Sequence, residues 1–141
     1  MTNSTNIVRD FYAKLSAGDA AGALGLMAAD IEWITMWHYK VDGRGPERVA
    51  EDLFKPLMAE WSSFSLVPTD FITEGDTVVS LGDFTGVHAE TGKRADARYA
   101  HVWTVKDGKI SKFRQYIDTL AIASARPLQD GPVIPFAKYL S

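Results

Sequence analysis

The stretch from Ala100 to Asp118 constrains the fold of this chain more than any other. Two runs rich in β-formers, His101 to Val105 and Ile110 to Ile117, flank the dipeptide Asp107-Gly108. Asp-Gly between two such runs is among the strongest local indications of a tight turn between antiparallel strands. The sequence therefore predicts a β-hairpin here.

The hairpin carries two polar side chains on otherwise apolar faces. Side chains alternate between the two faces of a strand. One face of each arm is then formed by His101, Trp103 and Val105 on the first arm, and by Phe113, Gln115 and Ile117 on the second. A mostly apolar surface with a few convergent polar groups is typical of a small-molecule site. The same pattern fits an ordinary core that contains one hydrogen-bonded histidine.

Composition limits the classes of function. The 141 residues suffice for one domain with a core, and the hydrophobic and charged fractions, 46% and 23%, are those of a soluble globular protein. The net charge of -3 offers no basic surface, so we expect no nucleic-acid partner. Without cysteine the chain has no disulfide, no thiolate metal site and no cysteine nucleophile.

Targeting segments and cofactor motifs are not found. The first six residues lack the basic start and apolar run of a secretory signal, and no 18 apolar residues follow one another. We therefore expect a cytoplasmic protein without a membrane partner. The three histidines have no short ligand spacing, and Gly43-Arg44-Gly45 lacks the lysine and serine of a phosphate loop. We expect neither a metal nor another cofactor.

The first half of the chain predicts helices. Asn3 or Ser4 caps a helix with apolar residues at helical spacing that ends near Ala17-Gly18, and Asp19 begins a second helix that runs to about Ala28. Pro46 suits the first turn of a third helix, in which Pro56 predicts a kink or break.

The remaining elements are predicted strands. From Ile31 to Tyr39, one face holds Trp33, Thr35, Trp37 and Tyr39, with Ile34 and Met36 opposite, which indicates a strand buried on both sides. Four further strands are separated by turn sequences: Leu66 to Thr73, Thr77 to Val87, Arg94 to Val105 and Ile110 to Ile117. A short helix from about Thr119 to Ala125 follows, with Asp118 as its cap bonding near Ala121. This order predicts an α+β fold with helices on one face of a curved antiparallel sheet.

The last residues form a separate segment in this interpretation. Residues 1–126 make the domain, and residues 127–141 make a C-terminal extension with three prolines and several large apolar residues. Such a segment is expected to pack on its own subunit or on a partner subunit.

Several local sequences are similar to a known family. They are Phe-Tyr-Ala-Lys-Leu-Ser-Ala-Gly-Asp at 11–19, Ala-Asp-Ile-Glu-Trp at 29–33, Gly-Arg-Gly-Pro-Glu at 43–47, His-Val-Trp-Thr-Val-Lys-Asp-Gly-Lys-Ile at 101–110, and Phe-Arg-Gln-Tyr-Ile-Asp-Thr at 113–119. The chain resembles the SnoaL-like and ketosteroid-isomerase-like branch of the NTF2-like superfamily. The resemblance implies an α+β cone, a curved sheet over helices with a deep apolar pocket for a small molecule, and a homodimer.

The family's catalytic positions transfer only in part. Thr35 and Phe11 stand where steroid isomerases have the general-base aspartate and the oxyanion tyrosine, with Tyr12 adjacent. His101 falls where those enzymes have a second acid and where SnoaL-type polyketide cyclases have histidine. The cyclase aspartate corresponds to Gln115. Limonene epoxide hydrolases use an Asp-Arg-Asp set, of which Asp83 could match one aspartate, whereas Leu81 and Gln115 replace the other two members.

Three residues are the catalytic candidates. If Asp83 faces the cavity beside His101, its carboxylate holds one imidazole nitrogen and leaves the other free as a general base. Gln115 presents an amide N–H to a carbonyl oxygen or oxyanion. In the alternative interpretation, all three are polar residues of the interior that satisfy one another or the backbone.

Aromatic residues complete the candidate site. Trp33, Trp37 and Trp103 are a candidate wall for a flat ligand, although aromatic residues at strand spacing are also typical of a core. Substrate contacts are further assigned to Phe11 and Thr35, and to Tyr12 and Tyr39 at the mouth. His38 is expected at the surface or rim, and His88 in solvent.

Two functions remain open at this level, together with a purely structural role. The first is a cofactor-independent lyase or isomerase that acts on an apolar carbonyl compound, by proton abstraction, aldol cyclisation or retro-aldol cleavage. The second is a non-catalytic protein that binds an apolar small molecule in the same pocket. The third is a dimerising scaffold whose cavity is only structural.

Overall fold

A computed structural model describes residues 3–127 of the chain. Helices and strands follow in the order α1 Ser4–Ser16, α2 Ala20–Leu24, β1 Met27–Ile34, α3 Pro46–Val49, a π-helical turn Ala50–Phe54, α4 Lys55–Glu60, β2 Trp61–Glu74, β3 Thr77–His88, β4 Arg94–Lys106, β5 Lys109–Ile117 and α5 Thr119–Ala125. The predicted extension, residues 127–141, lies outside the described residues except for Pro127. None of the helices within residues 3–127 is long and apolar enough to cross a membrane.

The five strands form one mixed, curved sheet in the order β1-β5-β4-β3-β2. Strands β2 to β5 form the predicted antiparallel meander, and the Asp107-Gly108 hairpin joins β4 to β5 with both residues at positive φ. Strand β1 pairs with β5 in parallel, with Trp33 opposite Phe113. The α+β prediction is confirmed, and the sheet is mixed because β1 joins its edge.

Helices α1 and α5 begin at the predicted side-chain caps. The carboxamide of Asn3 accepts from the N–H of Asn6 at 2.9 Å, and the carboxylate of Asp118 accepts from the N–H of Ala121 at 3.1 Å. Helix α5 has the predicted bounds. Helix α2 ends at Leu24, earlier than predicted, because the chain turns there and enters β1 at Met27.

Pro56 interrupts the helical run from Pro46 to Glu60. It has no N–H to donate to a carbonyl one turn earlier, and a π-helical turn precedes α4. The predicted irregularity is confirmed. The whole run packs its apolar residues Val49, Leu53, Phe54 and Leu57 into the core.

Strands β1 and β2 differ most from the sequence prediction, and β1 begins at Met27 rather than Ile31. Strand β1 ends at Ile34, yet Thr35, Trp37 and Tyr39 continue its alternation as buried residues of an irregular segment. The prediction that this segment is buried on both sides was wrong, since Met36 is 41% exposed. Strand β2 begins at Trp61 rather than Leu66, because residues 61–65 pair with the end of β3 despite their polar composition.

Candidate functional site

The hairpin places His101 and Gln115 directly opposite each other on its inner face. Their side chains are almost fully buried, at 2% and 3% exposure. Trp103 and Phe113 form the next inward-facing pair of the same two strands. The alternation inferred from the sequence is therefore correct for this face of the hairpin.

Tyr12 of α1 positions the imidazole of His101. The Tyr12 hydroxyl lies 2.6 Å from Nδ1 of His101 and 2.7 Å from the hydroxyl of Ser80 on β3. Ser80 also accepts a hydrogen bond from the indole N–H of Trp103 at 2.9 Å. The four side chains therefore form a buried hydrogen-bonded chain that ends at His101.

This hydrogen-bonded chain of side chains permits two arrangements of its protons. When Ser80 donates to Tyr12 and Tyr12 donates to Nδ1, the proton of the neutral imidazole is on Nε2. When Nδ1 carries the proton and donates to Tyr12, Tyr12 donates to Ser80, and Nε2 is an unprotonated acceptor. Every hydroxyl and Nδ1 keeps a partner in both arrangements. The chain can therefore hold His101 as a donor or as a base at Nε2.

Burial controls the charge of the two groups. It lowers the pKa of His101 well below the ordinary value, because the imidazolium would lose its hydration. Burial, reinforced by the neighbouring Tyr99, raises the pKa of the Tyr12 phenol. His101 is therefore a neutral imidazole, and Tyr12 a neutral phenol, at neutral pH.

The Tyr99 ring covers one face of the His101 imidazole. The two rings are stacked with centroids 3.9 Å apart. Tyr99 lies opposite Gly82, where an added Cβ would collide with the Tyr99 ring. Gly82 therefore allows the close approach that holds Tyr99 against His101.

An apolar cavity lies between the hairpin and the helices. Its free volume is about 40 Å³, room for only a few water molecules. The lining residues come from helices, strands and the segment after β1: Phe11, Leu15, Trp33, Trp37, Leu53, Phe54, Leu57, Met58, Phe64, Leu66, His101, Phe113 and Gln115. His101 and Gln115 are the polar side chains apart from the two indoles, and Met58, 52% exposed, connects the lining to solvent.

Five of the candidate residues line this cavity: Phe11, Trp33, Trp37, His101 and Gln115. Trp33 stacks on Phe113 with centroids 3.9 Å apart, so part of the expected aromatic wall is present. Trp103 is not part of this wall. It is fully buried in the core, and its indole N–H donates to Ser80.

The predicted position of Asp83 was wrong. Asp83 is exposed on the outer face of β3, and its strand neighbour is Arg98. Every second residue of β3 is buried, namely Val78, Ser80, Gly82, Phe84, Gly86 and His88, and Ser80 is the one opposite His101. Tyr12, and not a carboxylate, is thus the residue that holds one nitrogen of the imidazole.

The remaining candidates lie elsewhere. Tyr12 is buried and does not line the cavity, so the prediction that it lies at the mouth was wrong. Thr35 donates to the backbone carbonyl of Tyr39, and Tyr39 donates to the carboxylate of Glu60. Both are buried but are absent from the cavity lining.

A second polar cluster surrounds Glu60, which ends α4. His38, His88 and Arg126 contact its carboxylate at 2.7, 2.8 and 2.7 Å. Burial alone would raise the pKa of Glu60, but hydrogen bonds, first from Tyr39 and then from these three groups, lower it to about 2. The prediction that His88 is solvated was wrong, since it is 3% exposed.

Sequence reasoning missed Ser80 and the helical side of the cavity. Ser80 shares the inner face of β3 with Val78 and Phe84, but Val79 and Leu81 make the outer face apolar as well, so alternation in the sequence did not identify it. The lining residues Leu53 and Leu57 are four positions apart in the sequence, a spacing that indicates only an apolar helix face. Nothing local in the sequence distinguishes a stripe that lines a cavity from one that fills a core.

The curved sheet over helices, with an apolar cavity between them, defines an NTF2-like protein. Residues 8–113 match the SnoaL-like domain family, and the chain belongs to that family. Among curated proteins, none matches the chain.

Solved structures show the same fold. An NTF2-like protein from Burkholderia thailandensis is 34% identical, with 90% of this chain and 100% of that chain covered and a TM-score of 0.85. Another from Burkholderia xenovorans is 32% identical, with 88% and 95% covered and a TM-score of 0.72. TerC, co-crystallised with polyporic acid, is 26% identical, with 86% and 96% covered and a TM-score of 0.77.

Proposed function

We propose that this protein is a cofactor-independent acid–base enzyme of the lyase or isomerase kind that acts on an apolar carbonyl compound. The observation that carries the proposal is the state of His101. Its Nδ1 is held by Tyr12, while its buried Nε2 has no partner among the described residues. His101 also lines the apolar cavity. A positioned imidazole with one available nitrogen is the usual form of a general base.

The proposed step is proton abstraction beside a carbonyl. Nε2 of the neutral imidazole takes a proton from the α-carbon, and the C–H electrons form the C=C bond of an enolate. The carbonyl oxygen takes up the negative charge and accepts a hydrogen bond from the amide N–H of Gln115. Nδ1–H donates to Tyr12, which donates to Ser80. The imidazolium therefore keeps a hydrogen-bond acceptor at Nδ1.

The enolate then has two outcomes. It regains a proton from the imidazolium at the same or another carbon, which is exchange or isomerisation. Alternatively, it attacks a second carbonyl of the same molecule, and the new alkoxide takes the proton from Nε2, which is a polyketide-cyclase-like aldol closure. The reverse sequence is a retro-aldol cleavage. Because burial lowers the pKa of His101, the imidazolium is a strong acid that returns its proton readily.

A non-catalytic binding protein is the second candidate. No carboxylate among the described residues contacts His101, and burial lowers the pKa of its imidazole, so His101 is a weaker base than a carboxylate-supported histidine. TerC was co-crystallised with a small molecule, polyporic acid. In this alternative, His101 and Gln115 only recognise the ligand.

We also propose that the protein is a homodimer formed through the outer face of the sheet. Leu81 of β3 and Tyr116 of β5 are 37% and 46% exposed, and each lies beside Ala100 of the intervening strand. Asp83 and Arg98 lie next to this apolar row and supply charges of both signs, as a self-complementary surface requires. Leu81→Arg should convert the dimer to a monomer in light scattering coupled to size exclusion, and an unchanged mass for wild type and variant would contradict this interface.

Proton exchange in deuterated water tests the catalytic proposal. A panel of ketones, β-hydroxyketones and aromatic diketones is followed by NMR with wild type, His101→Ala and the control His38→Ala, whose histidine lies in the Glu60 cluster. We expect exchange or cleavage with wild type and His38→Ala, and a rate lower by about 10²- to 10⁴-fold with His101→Ala. Saturable binding without any exchange would favour the binding protein. Wild-type rates in His101→Ala would remove the histidine from the mechanism.

A further inference from the structure

Four unpartnered polar atoms belong to residues that line the cavity. Among the described residues, five buried side-chain nitrogen or oxygen atoms have no hydrogen-bond partner. Four of them are Trp33 Nε1, Trp37 Nε1, His101 Nε2 and Gln115 Oε1, and their residues all line the cavity. Buried polar groups in proteins are nearly always bonded, so this concentration indicates a place where a ligand supplies the missing partners.

The tryptophans divide into two pairs. Trp61 donates its indole N–H to the Tyr39 hydroxyl at 3.1 Å, and Trp103 donates to Ser80 at 2.9 Å. Trp33 and Trp37 are buried to a similar degree but find no acceptor among the described residues. An indole N–H is only a donor. The two cavity tryptophans therefore require acceptor atoms.

We propose that Trp33 and Trp37 bind two separate oxygen atoms of the substrate through their indole N–H groups. The substrate class is then a flat, conjugated, uncharged dicarbonyl compound, such as a quinone or a diketone. This assignment depends on the proposed function only in using the same cavity.

The shape and charge of the cavity support this class. The stacked pair of Trp33 and Phe113, with Phe11 tilted against Trp33 at 6.0 Å, provides flat surfaces for a ring. None of the described Asp, Glu, Lys or Arg residues lines the cavity, so a charged ligand would lose its hydration without gaining an opposite charge. Carbonyl oxygens are acceptors without a proton, and they match the indole donors.

A ligand of this size requires the lining to adjust. The free volume of about 40 Å³ is too small for a bicyclic compound. Met58 is the most exposed of the lining residues, and its unbranched side chain rotates easily. Before a ligand enters, water is the alternative acceptor for the two indole N–H groups. The experiment must therefore distinguish indoles bonded to ligand from indoles bonded to water.

The test uses the indole N–H signals of ¹⁵N-labelled protein. Wild type is titrated with naphthalene, 1-tetralone and 1,4-naphthoquinone, which carry no, one and two carbonyl oxygens. The chain has no cysteine that could react with the quinone. Trp61 and Trp103 are internal controls because their donors are already bonded. Trp33→Phe and Trp37→Phe assign the signals.

We expect the quinone to shift the Trp33 and Trp37 proton signals downfield while those of Trp61 and Trp103 stay in place. Tetralone should shift one of the two, and naphthalene should produce ring-current changes without the downfield shift. Each Trp→Phe change should weaken quinone binding about threefold to tenfold, whereas Trp61→Phe should leave it unchanged.

Two results would overturn the proposal: no binding of the quinone, or saturable binding that leaves both indole signals in place. The outcome is separate from that of the catalytic proposal. Indole shifts without proton exchange would support the proposed ligand class and contradict the proposed enzymatic function. Proton exchange of ketones with unchanged indole N–H signals would support the enzymatic function and contradict the role of Trp33 and Trp37 as donors.

Discussion

The Tyr12 hydroxyl lies 2.6 Å from Nδ1 of His101, although 89 positions separate the two residues in the chain. The contact joins the first helix to the central part of the sheet and fixes one nitrogen of His101, the only histidine that lines the cavity among residues 3–127. Because the imidazole is fully buried, any change in this contact affects both its orientation and its charge. The first two predictions concern this pair.

Tyr12→Phe should lower the rate of proton exchange about tenfold, which corresponds to the loss of one hydrogen bond worth about 1.4 kcal/mol. It should also destabilise the fold by about 1 to 3 kcal/mol, because Nδ1 and Ser80 lose a buried partner. Exchange rates by NMR and urea unfolding measure the two effects. Thr77→Val, which removes an exposed hydroxyl at the start of β3, is the matched control and should change neither. An unaltered exchange rate in Tyr12→Phe would show that the phenol does not position the base.

The low pKa of His101 should make the protein less stable as the pH falls. The folded state resists protonation of this imidazole, whereas the unfolded chain takes up a proton near pH 6.5. The stabilisation is therefore complete above about pH 6.5 and decreases as the pH falls from there toward the folded pKa. Between pH 7.5 and 5.5 this histidine should account for a loss of about 1 kcal/mol.

Urea unfolding of wild type and His101→Gln at both pH values isolates that contribution. The variant should lose about 1 kcal/mol less than wild type over the same interval. The difference between the two proteins matters because His38 also has a pKa lowered by burial and adds to the total. Equal losses in both proteins would mean that the His101 imidazole titrates normally in the folded state.

Glu60 is expected to be a stability determinant without a part in the reaction. Four side chains from three parts of the chain donate to its carboxylate, namely those of His38, Tyr39, His88 and Arg126. Glu60→Gln should lower the free energy of unfolding by about 2 to 3 kcal/mol at neutral pH, because a charge-assisted network loses its acceptor. Thermal and urea unfolding measure this loss. The exposed Glu51→Gln should cost less than about 0.5 kcal/mol.

The acid dependence of the same cluster follows from its pKa of about 2. A lowered carboxyl pKa gives stability that is complete above the unfolded value near 4.5 and is lost as the pH falls toward 2. Wild type should therefore lose stability more steeply than Glu60→Gln between these two values. Parallel curves for the two proteins would contradict a network centred on an ionised Glu60.

Sequence patterns were sufficient wherever one local rule decided the outcome. Asp107-Gly108 fixed the hairpin, and the short side chains of Asn3 and Asp118 capped their helices as expected. The strict alternation of side chains also predicted which face of the hairpin points inward. Only the face that carries His101 and Gln115 is otherwise made of large apolar residues.

The phase of β3 was not decided in this way. Val78 and Phe84 on the inner face alternate with Val79 and Leu81 on the outer face, so both faces look apolar. Only pairing with β4 shows that Ser80, and not Asp83, lies beside His101. The contact of Tyr12 with His101 likewise depends on how α1 lies across the sheet, which no local pattern encodes.

Gly82 should be the least replaceable glycine of the sheet. An added Cβ would collide with the Tyr99 ring and with the backbone oxygen of Val67. The ring cannot retreat freely, because one of its faces is stacked on His101. Gly82→Ala should therefore destabilise the fold by about 1 to 3 kcal/mol and should also reduce proton exchange by displacing the imidazole. Gly25→Ala, where the nearest atom to the new Cβ is 3.4 Å away, is the matched control and should stay within about 0.5 kcal/mol of wild type. Gly82→Ala could instead unfold at the same urea concentration as wild type and retain full activity. That result would show that Tyr99 has room to move and does not hold the histidine in place.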